Sequence, residues 1–273
     1  MRIQATLTVP EGKRLIAKGL AKRADIRKAY THGKILLKGG TTVSAICEEL
    51  CGKPLRIAGR ITPRGTKSSK IIEDLWYCAI IERGSLRSID GEVGQAVGTL
   101  KKGDIVILGA NAFDNYGNAA LMIGRALGGE LGQALCGMVS EVNKVIVAVG
   151  VEKIVPGSLN DVVKNTGRSE VDLAMGMAVG LVPICGEIYT EIEAIKTLAR
   201  VHPQIIGRGG IKGAEGSSTF IIDGGKEEIL EIFQLLKSLK GSGESGLKES
   251  FDECEPGKKC KFHLACIYAK KKI

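Results

Sequence analysis

The amino-acid sequence reads as an α/β protein on three observations. Ile105–Leu108 and the stretch 144–149 are short, nearly unbroken apolar runs, the pattern of strands buried on both faces of a parallel sheet. Over residues 1–175, strands and helices alternate through long crossovers, as a doubly wound sheet requires. From about Met177 the order changes to β-α-β-β-α-β. The expected architecture is a Rossmann-like, mostly parallel sheet over residues 1–175 and a smaller ferredoxin-like α+β domain over 176–273.

Each element has its own signal. Ile3, Ala5, Leu7 and Val9 alternate as in a strand. Pro10 then introduces a helix over residues 11–31, with Leu15, Ile16, Gly19 and Leu20 on one side. Arg14, Lys18 and Lys22 recur on another side at helical spacing, the pattern of a solvated face. Ile35–Lys38 is a strand, and Thr41–Leu50 a helix that stops near Cys51 and Gly52, ahead of Lys53-Pro54. Residues 54–61 and 74–86 have strand character, with a loop between them. Residues 119–139 read as mainly helical despite their glycines, and Ser158 as the N-cap of a further helix. In the C-terminal part, residues 178–187 read as a strand, 188–202 as a helix and 204–223 as a glycine-looped hairpin. Residues 226–240 read as an amphipathic helix and 261–269 as a last strand after the flexible "GSGESG".

Composition excludes several classes. With 273 residues, 44% of them hydrophobic and 25% charged, the chain has the make-up of a globular protein with a sizeable core. No apolar run approaches the ~18 residues of a membrane span and no signal-peptide core opens the chain, so no membrane partner is expected. Eight cysteines are scattered rather than set in a disulfide framework, which reads as a cytoplasmic protein with reduced thiols. The formal charge of +9 sits at the ends: residues 1–40 carry ten Lys or Arg against two acids, and residues 258–273 carry six Lys and no acid. A solvated basic face is the plain reading. Nucleic-acid association is the sharper one, without any helix-turn-helix, RNP or zinc-finger signature and with only 4% aromatic residues for stacking. An anionic small molecule fits the same surface. That ligand and further copies of the chain, as a homo-oligomer, are the expected partners.

Two segments resemble the two ends of one pocket. In "KILLKGGTT", Gly39 and Gly40 allow a tight turn after a strand, while Thr41 and Thr42 offer hydroxyls at the start of a helix whose first amides are unpaired. A phosphate, carboxylate or pyrophosphate suits such a place; a simple turn with an N-cap is the alternative. In "GDIVILGANAFDNYGN", Gly109, Asn111, Asp114, Asn115 and Asn118 follow a buried strand. Asp114 is the best-placed group for proton transfer, and the alternative is an Asx-turn in which it bonds its own backbone. Open α/β sheets bind ligands beyond the carboxyl ends of their strands, where both segments fall.

These two segments, with the first helix, resemble the superfamily of ribose-5-phosphate isomerase, glucosamine-6-phosphate deaminase and the CoA transferases. Methylthioribose-phosphate isomerase and the sensing domains of sugar-phosphate-responsive repressors belong to the same group. The resemblance spans roughly residues 11–155. It implies a phosphorylated or carboxylated metabolite, a sugar phosphate or CoA-like ligand, bound at Gly39–Thr42, with isomerase-like or CoA-transferase-like chemistry or with sensing and no turnover. Some members also carry a ferredoxin-like domain. The chain departs from the pattern at Asn111, where the methylthioribose-phosphate isomerase branch has a catalytic Asp after Gly-Ala, and at Leu121-Met122, where that branch has Asn-Lys. For the glutamate of a CoA transferase, Glu92 is the one conceivable counterpart, and a surface role is the plainer reading.

Two further groups bear on ligands. Arg208 and Lys212 in the glycine-rich stretch 207–218 suit an anion if that hairpin tip closes over the first site; a flexible tip is the plain reading. Cys254, Cys260, His263 and Cys266 have the softness and number of zinc or iron–sulfur ligands. As part of a strand, however, His263 and Cys266 would face opposite sides, and no metal cofactor is then expected.

Overall fold

The computed structural model describes residues 1–69, 74–142, 144–252 and 263–268. The chain opens on strand β1 (Arg2–Leu7) and enters helix α1 (Val9–Lys22), with Pro10 in its first turn, where a missing amide is tolerated. A second helix, α2 (Ala24–His32), follows directly. The single helix expected over residues 11–31 is broken at Arg23, whose ψ of 138° leaves the helical region. Its guanidinium is held there by Asp25 and Glu187 and lies over the Tyr189 ring.

Strand β2 (Lys34–Lys38) feeds helix α3 (Thr41–Cys51), ended by Gly52 in the left-handed region at φ 70°. Two hairpins come next, β3 (Gly59–Thr62) with β4 (Gly65–Ser68) and β5 (Cys78–Glu82) with β6 (Ser85–Ser88). Helix α4 (Val93–Gly98) leads to β7 (Ile105–Leu108), β8 (Ala112–Phe113) and β9 (Ala119–Ile123). Helix α5 (Gly129–Ser140), strand β10 (Val145–Ala148), helix α6 (Leu159–Lys164), and strands β11 (Gly180–Ile184) and β12 (Glu187–Tyr189) continue the chain. Helix α7 (Glu191–Leu198), the hairpin β13 (Val201–Gly209) and β14 (Ser217–Gly224), and helix α8 (Lys226–Ser238) complete the regular elements.

The main sheet is mixed, in the order β12-β10-β7-β2-β5-β6. Its first four strands run parallel; β5 adds antiparallel to β2, and β6 antiparallel to β5. Successive side chains of a strand point to opposite faces, which divides the core in two. Ile35, Leu37, Ile105, Ile107, Ile146 and Ala148 pack with residues of α1, α2, α3 and α7. Leu36, Val106, Leu108, Val145 and Val147 pack with residues of α4 and α5. Helices on both faces make the main body a three-layered α/β structure.

Three expectations are corrected. Residues 119–139 are not one helix: β9 pairs with β11, and Asn111 anchors it by donating its amide to Ala120 O and accepting from Met122 N. Residues 178–187 are not one strand either, because β11 joins β9 while β12 extends the parallel sheet beside β10. The last strand expected over 261–269 does not form within the described part, where residues 263–268 make turns and a single bridge from Cys266 to Ala174. The small sheet takes β1 as its third strand instead, in the order β1-β14-β13, with Leu7, Phe220 and Ile222 in the shared core. Hydrogen bonding therefore crosses residue 175 in all three larger sheets, at β1–β14, β9–β11 and β10–β12. Among the described residues, no helix is long and apolar enough to cross a membrane.

The approach of α1 to α7 depends on Gly19. A Cβ there would stand 2.8 Å from Ala194 Cα and 2.5 Å from the Tyr189 hydroxyl. Gly19→Val is expected to destabilise by about 1–3 kcal/mol through overpacking. Gly94→Ala in α4, where a Cβ meets nothing within 4 Å, is expected to stabilise by about 0.5–1 kcal/mol. Urea denaturation of the two variants checks both signs.

Candidate functional site

Strands β2 and β7 are parallel neighbours, with Lys38 paired to Leu108 at their carboxyl ends. Gly39 and Gly109 follow immediately, so the two segments singled out in the sequence leave the sheet side by side. Because β10 and β12 run parallel to β7, the turn 149–153 and the start of α7 emerge at the same edge. This is the edge at which open α/β sheets place ligands.

The bend after β2 divides into a packed part and an open part. A Cβ on Gly39 would stand 2.1 Å from Tyr77 O, so Gly39 serves packing rather than a ligand. Around Gly40 a Cβ would meet nothing within 4 Å. Gly40 is the N-cap of α3, and Ser44 N closes the first turn on Gly40 O at 2.7 Å. The amides of Thr41, Thr42 and Val43 precede that ladder and carry the partial positive charge of the helix start. Thr41 is half-buried. Thr42 is 2% exposed, and its Oγ1 has no hydrogen-bond partner among the described residues.

Lys38 is the least expected member of this edge. It is 7% exposed, yet it makes no hydrogen bond or ion pair among the described residues. Burial brings its amine down to about 8; Cys78 pulls against this, and the smaller effect of Lys153 adds to the lowering. Lys153 is itself lowered by burial, with Lys13 adding to this and Glu152, Glu244 and Glu191 opposing. Glu191 opens α7 at 3% exposure and accepts from Val151 N at 2.9 Å. Burial, reinforced by the charge of Glu152, raises its carboxyl to about 7. An amine and a carboxyl that both titrate near neutrality thus stand at one sheet edge, a frequent property of functional sites.

The second segment has a structural job. Asp114 Oδ1 accepts from the amides of Tyr116 (2.9 Å) and Asn118 (3.0 Å). Its Oδ2 accepts from Asn118 Nδ2 (2.9 Å) and from Leu159 N at the start of α6 (2.8 Å). Burial opposes the charge, but the bonds from Asn118, Leu159 and Tyr116 outweigh it and hold the carboxyl at about 2. A carboxylate so saturated has no proton to exchange at neutral pH, and the Asx-turn alternative describes Asp114 better than proton transfer does. Asn118 also takes a 3.4 Å contact from Asn160, Asn111 holds β9, and Asn115 is exposed.

The remaining candidates are dispersed. Arg208 and Lys212 are exposed on the hairpin between β13 and β14. The return of that hairpin nevertheless reaches the site's rim, since a Cβ on Gly216 would lie 2.9 Å from Val9 Cγ2 and 3.6 Å from Glu152 Cβ. Cys254 and Cys260 lie outside the described residues. His263 Nε2 is 3.0 Å from Ser68 Oγ, and among the described residues no group of three or more potential ligands is placed for a metal. Glu92 pairs with Arg87 on the surface. On α1, Arg14 pairs with Glu48, Lys18 with Glu49 and Lys13 with Glu244, which neutralises much of the basic face that suggested nucleic acid. A depression of about 290 Å³ lined by Arg23, Glu187, Tyr189, Glu193, Lys196 and Thr197 has its arginine already engaged by Asp25 and Glu187.

Compared with known families and with curated proteins, the sequence matches no family model and no curated relative. The chemistry of the edge itself is therefore the ground for a functional reading. Sequence reasoning missed Lys38, Lys153 and Glu191. A signal was present for the first, since a lysine that ends a run of buried apolar residues and precedes Gly-Gly cannot be an ordinary surface lysine.

Lys38 makes stability depend on pH in a defined direction. The unfolded amine keeps its proton up to its ordinary value of 10.5, whereas the folded one releases it near 8. Stability is thus greatest above 10.5 and falls as pH drops through 8, by about 3 kcal/mol. Lys38→Met is expected to be more stable than the wild type at pH 7, with the difference fading above pH 10. Chemical denaturation across that range measures it.

Proposed function

We propose that the protein binds a small phosphorylated or carboxylated metabolite, a sugar phosphate or a CoA-like ligand, at the bend between β2 and α3. The observation that carries this reading is the Thr42 hydroxyl, buried on the first turn of an eleven-residue helix and four residues beyond the buried Lys38, neither side chain having a hydrogen-bond partner among the described residues. An unsatisfied buried hydroxyl costs about 1–3 kcal/mol, which a ligand oxygen would offset. The amides that open α3 attract negative charge, and an anion would also relieve the repulsion between Lys38 and Lys153.

The resemblance over residues 11–155 adds isomerase-like or CoA-transferase-like chemistry to this reading, and the four parallel strands covered on both faces support a Rossmann-like description of the sheet. With Asp114 committed to its loop, such chemistry would rest on Lys38 and Glu191. The six described cysteines are all free, in keeping with a protein of the reducing cytoplasm.

Thermal unfolding with inorganic phosphate, ribose 5-phosphate and acetyl-CoA tests the site. A ligand at a hundredfold excess over its Kd adds about 2.7 kcal/mol of stability. Thr42→Val is expected to abolish that gain while making the unliganded protein about 1 kcal/mol more stable, because it removes an unpaired polar group. An undiminished gain in both Thr42→Val and Lys153→Met would move the site elsewhere.

A further inference from the structure

We propose that Lys38 is a nucleophile that forms an imine with an aldehyde or ketone carried by the anionic ligand. The proposal rests on the anion site described above and names its substrate class: small carbonyl compounds bearing a phosphate or carboxylate.

Buried lysines that serve structure are paired with a carboxylate. Lys38 has no such partner among the described residues. The charged and titratable groups whose fields it feels are Lys153, a cation, and Cys78, whose thiol burial pushes up to about 12 and so keeps neutral. An amine taken out of water and set beside a second cation is the arrangement that makes lysine nucleophilic near neutral pH, because a substantial fraction then carries a free lone pair. A lysine meant only as a counter-ion gains nothing from losing its proton.

Position supports the same role. Lys38 ends β2, which is flanked by β5 on one side and β7 on the other, so its backbone is held on both edges. Gly40, Thr42 and the first amides of α3 follow within four residues. An anionic group held there is bonded at one end of the substrate while the carbonyl is presented at the other, and such anchoring converts a bimolecular attack into an internal one.

The step balances without an oxidant or reductant. The Nζ lone pair attacks the carbonyl carbon, the C–N bond forms, and the π pair moves to oxygen, which takes a proton. The nitrogen then loses a proton, the hydroxyl leaves as water and the C=N bond closes. The proton that the nitrogen releases passes through solvent to the departing oxygen, so that no further acid is needed.

Pyridoxal 5′-phosphate joins an aldehyde to a phosphate monoester and is a suitable probe. The full chain is incubated with it, reduced with borohydride and mapped by peptide mass spectrometry. The expected result is a reduced adduct chiefly on Lys38, suppressed by inorganic phosphate, much weaker with unphosphorylated pyridoxal, and lost in Lys38→Arg. Its yield should rise through pH 8, below the range in which surface lysines react. Adducts spread over surface lysines with Lys38 unmodified would overturn the proposal; if inorganic phosphate still stabilised the protein in a Thr42-dependent way, the anion site would stand without it. Equal labelling of Lys38 by pyridoxal and its phosphate, unaffected by inorganic phosphate, would support the nucleophile and remove the anion site. Should Lys38→Arg fail to fold, the wild-type peptide map decides alone.

Discussion

The parallel pairing of β2 with β7, in the register that sets Lys38 against Leu108, is the constraint on which the rest depends. Both strands are buried on two faces, so their register is fixed by packing above and below the sheet. Ile35, Leu37, Ile105 and Ile107 go to one side and Leu36, Val106 and Leu108 to the other. A slip of one residue would exchange the two sets and drive Lys38 toward the α1 and α3 side. The register therefore places the bends after Leu108 and Lys38 at one level, and β10 and β12 bring Lys153 and Glu191 to the same edge. The apolar core and the polar edge are two results of one pattern of pairing.

That edge is unusual in its charge balance rather than its shape. Elsewhere the cations are answered locally: Lys13 by Glu244, Arg14 by Glu48, and Arg23 by Asp25 and Glu187. All but Arg23–Asp25 join separate pieces of chain, at little desolvation cost because at least one partner keeps contact with water. Lys38 has more to lose from burial and receives less. Its position costs the fold about 3 kcal/mol at neutral pH, by the linkage of its depressed titration to stability. That cost, without a hydrogen-bond partner for the amine among the described residues, is what motivates the binding role proposed for Lys38.

Much of this was legible in the residues. Apolar runs over 105–108 and 145–148, the glycine turn at 39–40, and the sequence of α7, β13, β14 and α8 declared themselves because each follows from local pattern. What escaped depends on partners distant in sequence. The stretch 119–123 is a strand because Gly180–Ile184 pairs with it, and β1 finds its place on β14, more than two hundred residues on. The site shows the same division. Gly40 and Thr42 were visible as a turn and a helix start, whereas the positions of Lys153 and Glu191 required knowing that β10 and β12 run parallel to β2 in the same sheet, with β7 between β10 and β2. Asp114 misled for a related reason: an Asx-rich loop looks alike whether its carboxylate is free or capped, and the amide that decides it belongs to Leu159, 45 residues away.

Taking Lys38 rather than Asp114 as the reactive group, as proposed, changes the kind of chemistry the edge would support. A saturated carboxylate near pKa 2 can shape a loop but cannot move a proton at pH 7, so an aldose–ketose proton shuttle through that residue lacks its base. An amine near 8 and a carboxyl near 7 have the opposite property, since each is present in both protonation states across the physiological range. Their shifts share a cause, the dryness of the sheet edge, and act in opposite senses because one group is charged by gaining a proton and the other by losing it. A ligand that excluded more water would push both further toward neutrality, whereas its negative charge would pull the amine back up. For an anion at the bend after β2, as proposed, the exclusion of water and the negative charge would thus act on Lys38 in opposite senses, so that its protonation would be coupled to binding.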